Sequence, residues 1–265
     1  MNARECYDAG RLNDALAASL AEVKAAPADL GRRGFLCELA CFAGDLERAD
    51  RQLEALGNLH PPAAVGVALF RQLIRAEQAR QQFFTEGRLP EFVAEATPVD
   101  KVHLEASILL REGKSDEAAK ILAQVEEQRP KVAGTCDGRP FADLRDLDDL
   151  VAPVFEVLTS NGKYYWIPIE RVELIEFRPP QRPRDLLWRR ARMIVQNGPD
   201  GEVYLPALYA GSHAAAEDGL RLGRATDWTG GQGKPVRGSG QRTYLVGDEA
   251  KTIMEIKELT FGTAS

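Results

Sequence analysis

A glycine-rich run, TGGQGKPVRGSGQ at 229–241, has the residue types that could hold a phosphate group, because backbone amides in such runs bind anions. A nucleotide-binding Walker loop, however, requires Ser or Thr directly after Gly-Lys, and Pro235 takes that place here. A second Gly-Lys pair, at Gly113, is followed by serine but lacks the required upstream glycine. We therefore predict a flexible connection from Thr229 to Gly240, and no nucleotide or other cofactor.

Hydrolase chemistry would require a nucleophile beside a base, and Ser212-His213 is the most suggestive pair in the chain. The GxSxG pentapeptide that presents many serine nucleophiles does not occur. The other two histidines, His60 and His103, lie at a predicted repeat boundary and in a predicted amphipathic helix, where surface or capping roles are commoner. The sequence thus predicts no catalytic residue and a protein that is not an enzyme.

Two cysteines, Cys37 and Cys41, are four residues apart in a predicted helix and could supply half of a zinc site. No second Cys or His cluster completes that site, so we predict free thiols that act as small apolar residues between helices. The acidic pair Asp148 and Asp149 is equally unspecific, and we expect it to solvate a linker or to cap a helix. No metal is predicted.

An arginine-rich stretch at 178–192 also contains a tryptophan, a combination that can serve phosphates and bases. Prolines interrupt the stretch and the chain has a formal net charge of -6, so we expect no nucleic-acid partner. Ion pairs with the acidic half of the chain and a protein-binding patch both stay open as interpretations. The candidate partner-binding residues are Arg184, Trp188, Arg189, Arg190 and Arg224.

The elements that must position these residues begin with an internal repeat. Gly10 and Gly44 open the similar segments GRLNDAL and GDLERAD, 34 residues apart, which is the tetratricopeptide period. A third copy spans Gly113 to Leu122, and in each copy an alanine follows the glycine at the position where paired helices approach closely. The segment from Ala63 to Phe84 is irregular but helical in pattern. Stacked helix pairs of this kind leave a curved surface that usually holds a peptide or a partner helix.

Beyond Pro130 the pattern changes to turns and apolar alternation, which is typical of strands. Predicted strands span Ala152–Thr159, Tyr164–Ile169, Arg171–Phe177, Ala191–Gln196 and Glu202–Leu205, and a last hairpin has the arms Thr243–Val246 and Thr252–Phe261. A helical turn at Asp185–Arg190 and a short helix at Gly211–Leu222 are also predicted. The predicted fold class is α+β, with a tetratricopeptide-like helical domain at residues 1–147 and a mostly β domain at residues 148–265.

The 265 residues contain 44% hydrophobic side chains, enough for two ordinary domains. No window approaches the roughly 18 consecutive apolar residues of a membrane span. The first thirty residues are amphipathic and do not follow the pattern of a signal sequence. We therefore predict a cytoplasmic protein without a membrane partner. Residues 1–150 carry a net charge of -7 and residues 151–265 a net charge of +1.

Several long strings carry a resemblance to a known family. They are FEVLTSNGKYYWIPIERVELIEF (155–177), RPRDLLWRRARMIV (182–195), GEVYLPALYAGSH (201–213), LRLGRATDW (220–228) and GQRTYLVGDE (240–249). Together with the opening repeats, these strings resemble the ImpE/TagJ family, also called SciE-type, of type VI secretion accessory proteins. The resemblance spans nearly the whole chain.

The resemblance implies a cytoplasmic, non-catalytic accessory of a contractile injection apparatus. It also implies binding to the N-terminal helix of the small sheath subunit and, through it, a link to the ATPase that disassembles the sheath. A groove in the helical domain could hold such a helix, and the acidic balance of residues 1–150 would favour a basic partner. The alternative is an enzyme or a small-molecule sensor whose pocket is lined by Arg184, Arg189, Arg224 and His213.

Overall fold

The computed structural model describes residues 1–262 and consists of a helical half followed by a β-rich half. The helices are α1 (Ala3–Asp8), α2 (Leu12–Ala25), α3 (Leu30–Phe42), α4 (Leu46–Leu59), α5 (Ala64–Glu86), α6 (Pro98–Arg111), α7 (Ser115–Gln128) and the single turn α8 (Asp218–Arg221). The predicted α+β class is therefore confirmed.

The repeated glycines lie at the turns between paired helices. Gly10 joins α1 to α2, Gly44 joins α3 to α4 and Gly113 joins α6 to α7, each with a φ near +77° (+77°, +76° and +77°). A left-handed φ favours glycine, since it has no Cβ. The alanine that follows each glycine is fully buried, as the repeat predicts. The long helix α5 stands between the second and third pairs.

Within residues 1–262, the β-rich half contains three sheets. Its strands are β1 (Gly134–Cys136), β2 (Arg139–Phe141), β3 (Leu144–Asp146), β4 (Val154–Leu158), β5 (Tyr164–Pro168), β6 (Val172–Phe177), β7 (Trp188–Val195), β8 (Asp200–Pro206), β9 (Thr226–Gly231), β10 (Lys234–Gly240), β11 (Thr243–Val246), β12 (Glu249–Thr252) and β13 (Glu258–Phe261). The main sheet is antiparallel with the order β2-β1-β13-β6-β7-β8-β4-β5; the smaller sheets are β12-β11-β3 and β10-β9.

The main sheet has one apolar core on each face. On β4, Val154 and Leu158 pack with the helices, whereas Phe155 and Val157 pack toward the three-stranded sheet. Alternation of side chains along a strand sends neighbouring residues to opposite faces, so a strand buried on both faces is apolar throughout. The molecule is thus layered as helices, main sheet and three-stranded sheet.

The glycine-rich run is not a flexible connection, and that prediction was wrong. It forms the β9–β10 hairpin, whose turn contains Gly231, Gln232 and Gly233, all with positive φ. Glycine permits the turn that lets the two arms pair. The glycines therefore serve hairpin geometry, and β10 packs against α7.

Other predicted elements need smaller corrections. The second arm of the last hairpin is Glu249–Thr252, while Glu258–Phe261 crosses to the main sheet between β1 and β6. The predicted helical turn at Asp185–Arg190 is displaced to a 3-10 turn at Pro183–Leu186, because Trp188 already pairs with β8. The predicted helix at Gly211–Leu222 is reduced to two single turns.

The two halves share an apolar core. Phe70 and Phe83 of α5 contact Trp188 and Trp166 of the main sheet, with ring centroids 6.0 and 4.8 Å apart, respectively. The first strand begins at Gly134, upstream of the predicted boundary. Among residues 1–262, no helix is long and apolar enough to cross a membrane.

Candidate interaction cleft

A buried cluster of charged side chains joins the helical half to the main sheet. Arg80 of α5 donates to both carboxylate oxygens of Glu156 on β4, at 2.9 and 3.1 Å. The same guanidinium donates to Glu77 at 3.2 Å and to the carbonyl oxygen of Leu208 at 3.0 Å. Arg80 is 3% exposed and Glu156 is 1% exposed. Because buried charges require paired and hydrogen-bonded partners, this cluster fixes how α5 lies on β4.

The cluster continues toward the three-stranded sheet through Arg242, which precedes β11. Its guanidinium donates to Glu156 and, at 2.9 Å, to Asp146 of β3. The hydroxyl of Tyr164 donates to Glu156 at 2.5 Å and accepts from the indole of Trp166 at 2.6 Å. One carboxylate thus contacts groups from the helical layer and from both sheets.

The two buried carboxyls of this cluster differ in acidity. Burial opposes ionisation of Glu156, but the charges of Arg80 and Arg242 outweigh it and lower the pKa to about 2. For Asp146, burial raises the pKa to about 7, although Arg242 opposes the shift. Glu156 therefore keeps its charge across the physiological range, whereas Asp146 takes up a proton near neutrality.

The acidic pair at 148–149 holds the β9–β10 hairpin, so the prediction of linker solvation or helix capping was wrong. Asp148 is 2% exposed and accepts from the Arg237 guanidinium at 2.9 Å and from the backbone amide of Gly238 at 3.1 Å. Asp149 accepts from the amide of Val236 at 2.6 Å. Carboxylates that accept from charged and backbone donors make strong hydrogen bonds, and these place Arg237 beside the helices.

A cleft of about 1040 Å³ opens above this framework, between the helical half and the segment that follows β8. One wall is the polar side of α5, with Gln78, Gln81 and Gln82, and apolar area is contributed by Phe84 and Leu110. These side chains are half-buried. The cleft therefore offers both apolar contact and amide hydrogen-bonding groups to an occupant.

The opposite wall combines the α3–α4 turn with the β-rich half. The imidazole of His213 lies directly against Gly44, where an added Cβ would overlap the ring. Burial lowers the pKa of His213, so its ring is neutral at physiological pH. Gly44 and His213 both line the cleft.

The charged residues that line the cleft fall into paired and unpaired groups. Asp45, Glu47 and Arg237 have partners of opposite charge in Arg48, Arg51 and Asp148. In the described part of the chain, four others form no ion pair, namely Arg75, Arg88, Arg111 and Glu86. The unpaired charge in the cleft is therefore mainly positive, in contrast to the acidic balance of the helical half as a whole.

Two of the predicted partner-binding residues are buried. Trp188 is 3% exposed and donates from its indole nitrogen to Glu77 at 3.1 Å. Arg189 is 4% exposed on the opposite face of β7, where its guanidinium donates to the carbonyl oxygen of Ile253 and lies 4.6 Å from the Phe177 ring centroid. Burial lowers the pKa of Arg189 to about 10. Both side chains therefore lie in the interior of the fold and not on its surface.

The other three predicted residues lie in separate places. Arg184 is half-buried, with its guanidinium 4.7 Å from the ring centroid of Phe70. Arg190 is exposed and pairs with Glu202 across the main sheet. Arg224 is exposed and donates to the carbonyl oxygen of Tyr7 at 2.6 Å, at the end of α1. These five residues do not form one surface, and their role in partner binding stays a prediction.

The four residues predicted to line the pocket of a sensor or an enzyme do not lie together. Of its four residues, only His213 lines the cleft. The neighbouring Ser212 is 2% exposed; its hydroxyl donates to the carbonyl oxygen of Tyr209 at 2.7 Å and accepts from the amide of Gly240 at 2.8 Å. Its hydrogen bonds hold a loop in place and do not activate a nucleophile.

The cysteines lie in apolar surroundings. Cys37 and Cys41 are buried between helices, as predicted, and both are free thiols. Burial raises the pKa of Cys37 to about 12, which keeps it protonated. Within residues 1–262, no group of three or more potential ligands is arranged to hold a metal ion.

Sequence reasoning missed the buried charge cluster, although a signal was present. Arg80 recurs at helical spacing with Leu73 and Phe83 on the buried face of α5, and Glu156 interrupts an otherwise apolar strand. A charged residue at a position of apolar periodicity indicates either a partner or an error in the assigned face. Its partners lie far away in the chain, so the sequence could reveal the anomaly but not the contact.

The same arrangement of helices and sheets occurs in a crystal structure of a Vibrio parahaemolyticus protein. The TM-score is 0.91 at 27% sequence identity, and the match covers 98% of this chain and 97% of that chain. The fold therefore defines a class of two-part proteins in which helical hairpins cover one face of a large antiparallel sheet.

Sequence comparison narrows this class to one family. Residues 138–260 match the family described as ImpE protein. The chain is also 33% identical over 261 residues to the type VI secretion system accessory component TagJ of Pseudomonas aeruginosa, covering 98% of this chain and 91% of that protein. The protein belongs to the ImpE/TagJ family of type VI secretion accessory proteins, and the resemblance noted in the sequence is confirmed.

Proposed function

We propose that this protein is a non-catalytic adaptor of a type VI secretion system that binds the small subunit of the contractile sheath. The single observation that carries the proposal is the match to an accessory component along 98% of the chain. The cleft beside α5 supports it, since a helical array with a polar and apolar groove is suited to hold a partner helix.

The proposed occupant of the cleft is the N-terminal helix of the sheath subunit. Apolar side chains of that helix would contact Phe84 and Leu110, while the glutamines of α5 would hydrogen-bond its polar flank. The buried Arg80–Glu156 pair holds both walls in place before binding. A preformed groove keeps the entropic cost of association low, because little of the adaptor must become ordered.

The proposal includes a cytoplasmic location, where sheath subunits would be met, and no membrane or nucleic-acid partner. A link to the sheath-disassembling ATPase is indirect in this proposal, through the shared sheath subunit. The direction of that link, toward assembly or toward recycling, depends on which sheath state exposes the helix.

Isothermal titration calorimetry with the purified small sheath subunit of the same gene cluster tests the proposal. We expect saturable binding to the intact subunit and none to a variant that lacks its N-terminal helix. Equal binding of both forms would place the contact elsewhere, and absence of binding to the intact subunit would contradict the proposed function.

A further inference from the structure

The unpaired arginines of the cleft indicate the chemistry of its occupant. Arg75 and Arg88 are exposed, Arg111 is half-buried, and none of them forms an ion pair within residues 1–262. Among the described residues, Glu86 is the single acidic side chain of the cleft lining that forms no ion pair. We propose that the cleft binds a helical segment that presents carboxylates, so that the partner is acidic on the side facing α5. This inference rests on the proposed function and specifies its partner.

The donors of Arg111 show why a carboxylate fits. One terminal nitrogen, Nη1, is occupied by the carbonyl oxygen of Phe83 at 3.1 Å and by the hydroxyl of Ser107 at 3.2 Å. Its side chain is thereby fixed against α5 and α6, while Nη2 and Nε make no hydrogen bond within the described residues. A guanidinium held in this way is preorganised for a carboxylate, which accepts two parallel hydrogen bonds.

Arg88 is positioned in a similar way. Its Nη1 donates to the amide oxygen of Gln82 at 2.9 Å, which keeps the guanidinium beside the cleft wall. Arg75 lies on α5 about two turns before Gln82, and Arg88 follows the C-terminal end of that helix, so the two cations flank the glutamines of α5. Carboxylates spaced along one side of a helix would match this spacing, because residues three, four and seven apart share a face.

The unpaired charge of the cleft is opposite in sign to the net charge of residues 1–150. The acidic residues Asp45 and Glu47 at the cleft are neutralised by Arg48 and Arg51, at 3.0 and 3.5 Å. Screening limits the influence of more distant acids to about 10 Å at moderate salt. The sequence-based expectation of a basic partner helix, drawn from residues 1–150 as a whole, is therefore replaced by an acidic one at this cleft.

Two synthetic amphipathic peptides test the inference. Each is about 18 residues long, enough for five helical turns, and both have the same leucine face but carry either glutamate or lysine on the polar face. Fluorescence anisotropy should show binding of the glutamate peptide, weakening with added salt, and at least about tenfold weaker binding of the lysine peptide. Equal affinities, a preference for lysine or binding of neither peptide would overturn the inference.

Charge-reversal variants of the protein test whether the glutamate peptide binds in the cleft. The double variant Arg75→Glu/Arg88→Glu should weaken glutamate-peptide binding by about tenfold or more, from two lost attractions and two new repulsions. Arg139→Glu makes the same kind of change at the exposed far edge of the main sheet and should leave the affinity unchanged. An equal loss in both variants would contradict a cleft site. If the peptides behave as expected but the sheath subunit does not bind, only the proposed function fails.

Discussion

At the scale of single residues, Glu156 is the central acceptor of the buried charge cluster. It is the common acceptor for Arg80, Arg242 and Tyr164, and it lies 1% exposed between the helices and the main sheet. A buried carboxylate with three donors is stable as an anion, and loss of its charge leaves the two buried guanidinium groups with only one acidic partner each, Glu77 for Arg80 and Asp146 for Arg242.

Glu156→Gln should therefore lower the free energy of unfolding by about 3–5 kcal/mol. Urea denaturation followed by tryptophan fluorescence measures this change. Glu249→Gln, which removes the charge of an exposed partner of Lys251, is the matched control and should change stability by less than about 1 kcal/mol. A small loss in the first variant would show that the cluster is not required for the fold.

Glu38 gives the fold a pH dependence of the opposite sign. Burial raises its pKa to about 7, with Arg184 and Arg182 opposing the shift. The folded state thus binds more protons than the unfolded state between about pH 4.5 and pH 7, and stability contributed by Glu38 is lost as pH rises through that window.

Glu38→Gln should remove this dependence. Relative to the wild type, we expect the variant to gain roughly 2–3 kcal/mol at pH 8 and little at pH 4.5. Denaturant titrations of both proteins at the two pH values measure the difference. A constant difference between pH 4.5 and pH 8 would show that Glu38 does not titrate in this range.

Single residues also show what the sequence could not reveal. Arg189 and Arg190 are consecutive arginines on a strand, and their side chains point to opposite faces of the sheet. Arg190 is exposed to solvent, whereas Arg189 is buried and donates to the carbonyl oxygen of Ile253. The sequence predicted a helical turn at Asp185–Arg190, so it did not reveal this alternation.

At the scale of elements, the turn between α3 and α4 joins the two walls of the cleft. Gly44 has a φ of +76° and contacts the His213 ring, whereas Gly113 has a φ of +77° with open space around it. Gly34, within α3, has neither feature. An alanine at Gly113 would meet only an unfavourable backbone conformation, whereas an alanine at Gly44 would also overlap the His213 ring. An alanine at Gly34 would meet neither obstacle.

Alanine substitutions at these three positions should change the stability of the protein in different directions and by different amounts. Gly34→Ala should stabilise by about 0.5–1 kcal/mol, and Gly113→Ala should destabilise by about 1–2 kcal/mol. Gly44→Ala should cost about 1–3 kcal/mol more than Gly113→Ala, because the imidazole must move. Thermal unfolding measures all three. Equal losses of stability at Gly44 and Gly113 would show that the His213 ring moves aside at little energetic cost.

Elements with local signals were predictable and those with distant partners were not. The helix pairs followed from glycine and alanine at fixed spacing, and β4–β5 followed from its Asn-Gly turn. By contrast, β9–β10 is held by Asp148 and Asp149, which are remote in the chain, so its glycines alone suggested flexibility. The glycines permit the turn, but the carboxylates that hold this hairpin lie far away in the sequence.

At the scale of the whole molecule, the two halves depend on each other. The main-sheet side chains Trp166 and Trp188 pack on Phe83 and Phe70, and the charge cluster is shared between the same layers. We therefore expect the full chain to unfold in one cooperative transition even though its two halves have different architectures.

A fragment of residues 1–147 should not fold on its own. Removal of the main sheet would expose the apolar face of α5 and leave Arg80 without Glu156. Circular dichroism melting should show no cooperative transition, and a hydrophobic dye should bind strongly. A sharp transition with native near-ultraviolet signals would instead support an independent domain at 1–147.

We propose that the protein joins the type VI secretion apparatus by holding a sheath component in the cleft. Quantitative mass spectrometry after affinity purification from cells that express the secretion gene cluster tests it most directly. The small sheath subunit should be enriched with the wild-type protein and with Arg139→Glu, and depleted with Arg75→Glu/Arg88→Glu. Absence of any secretion component above the untagged control would contradict the claim.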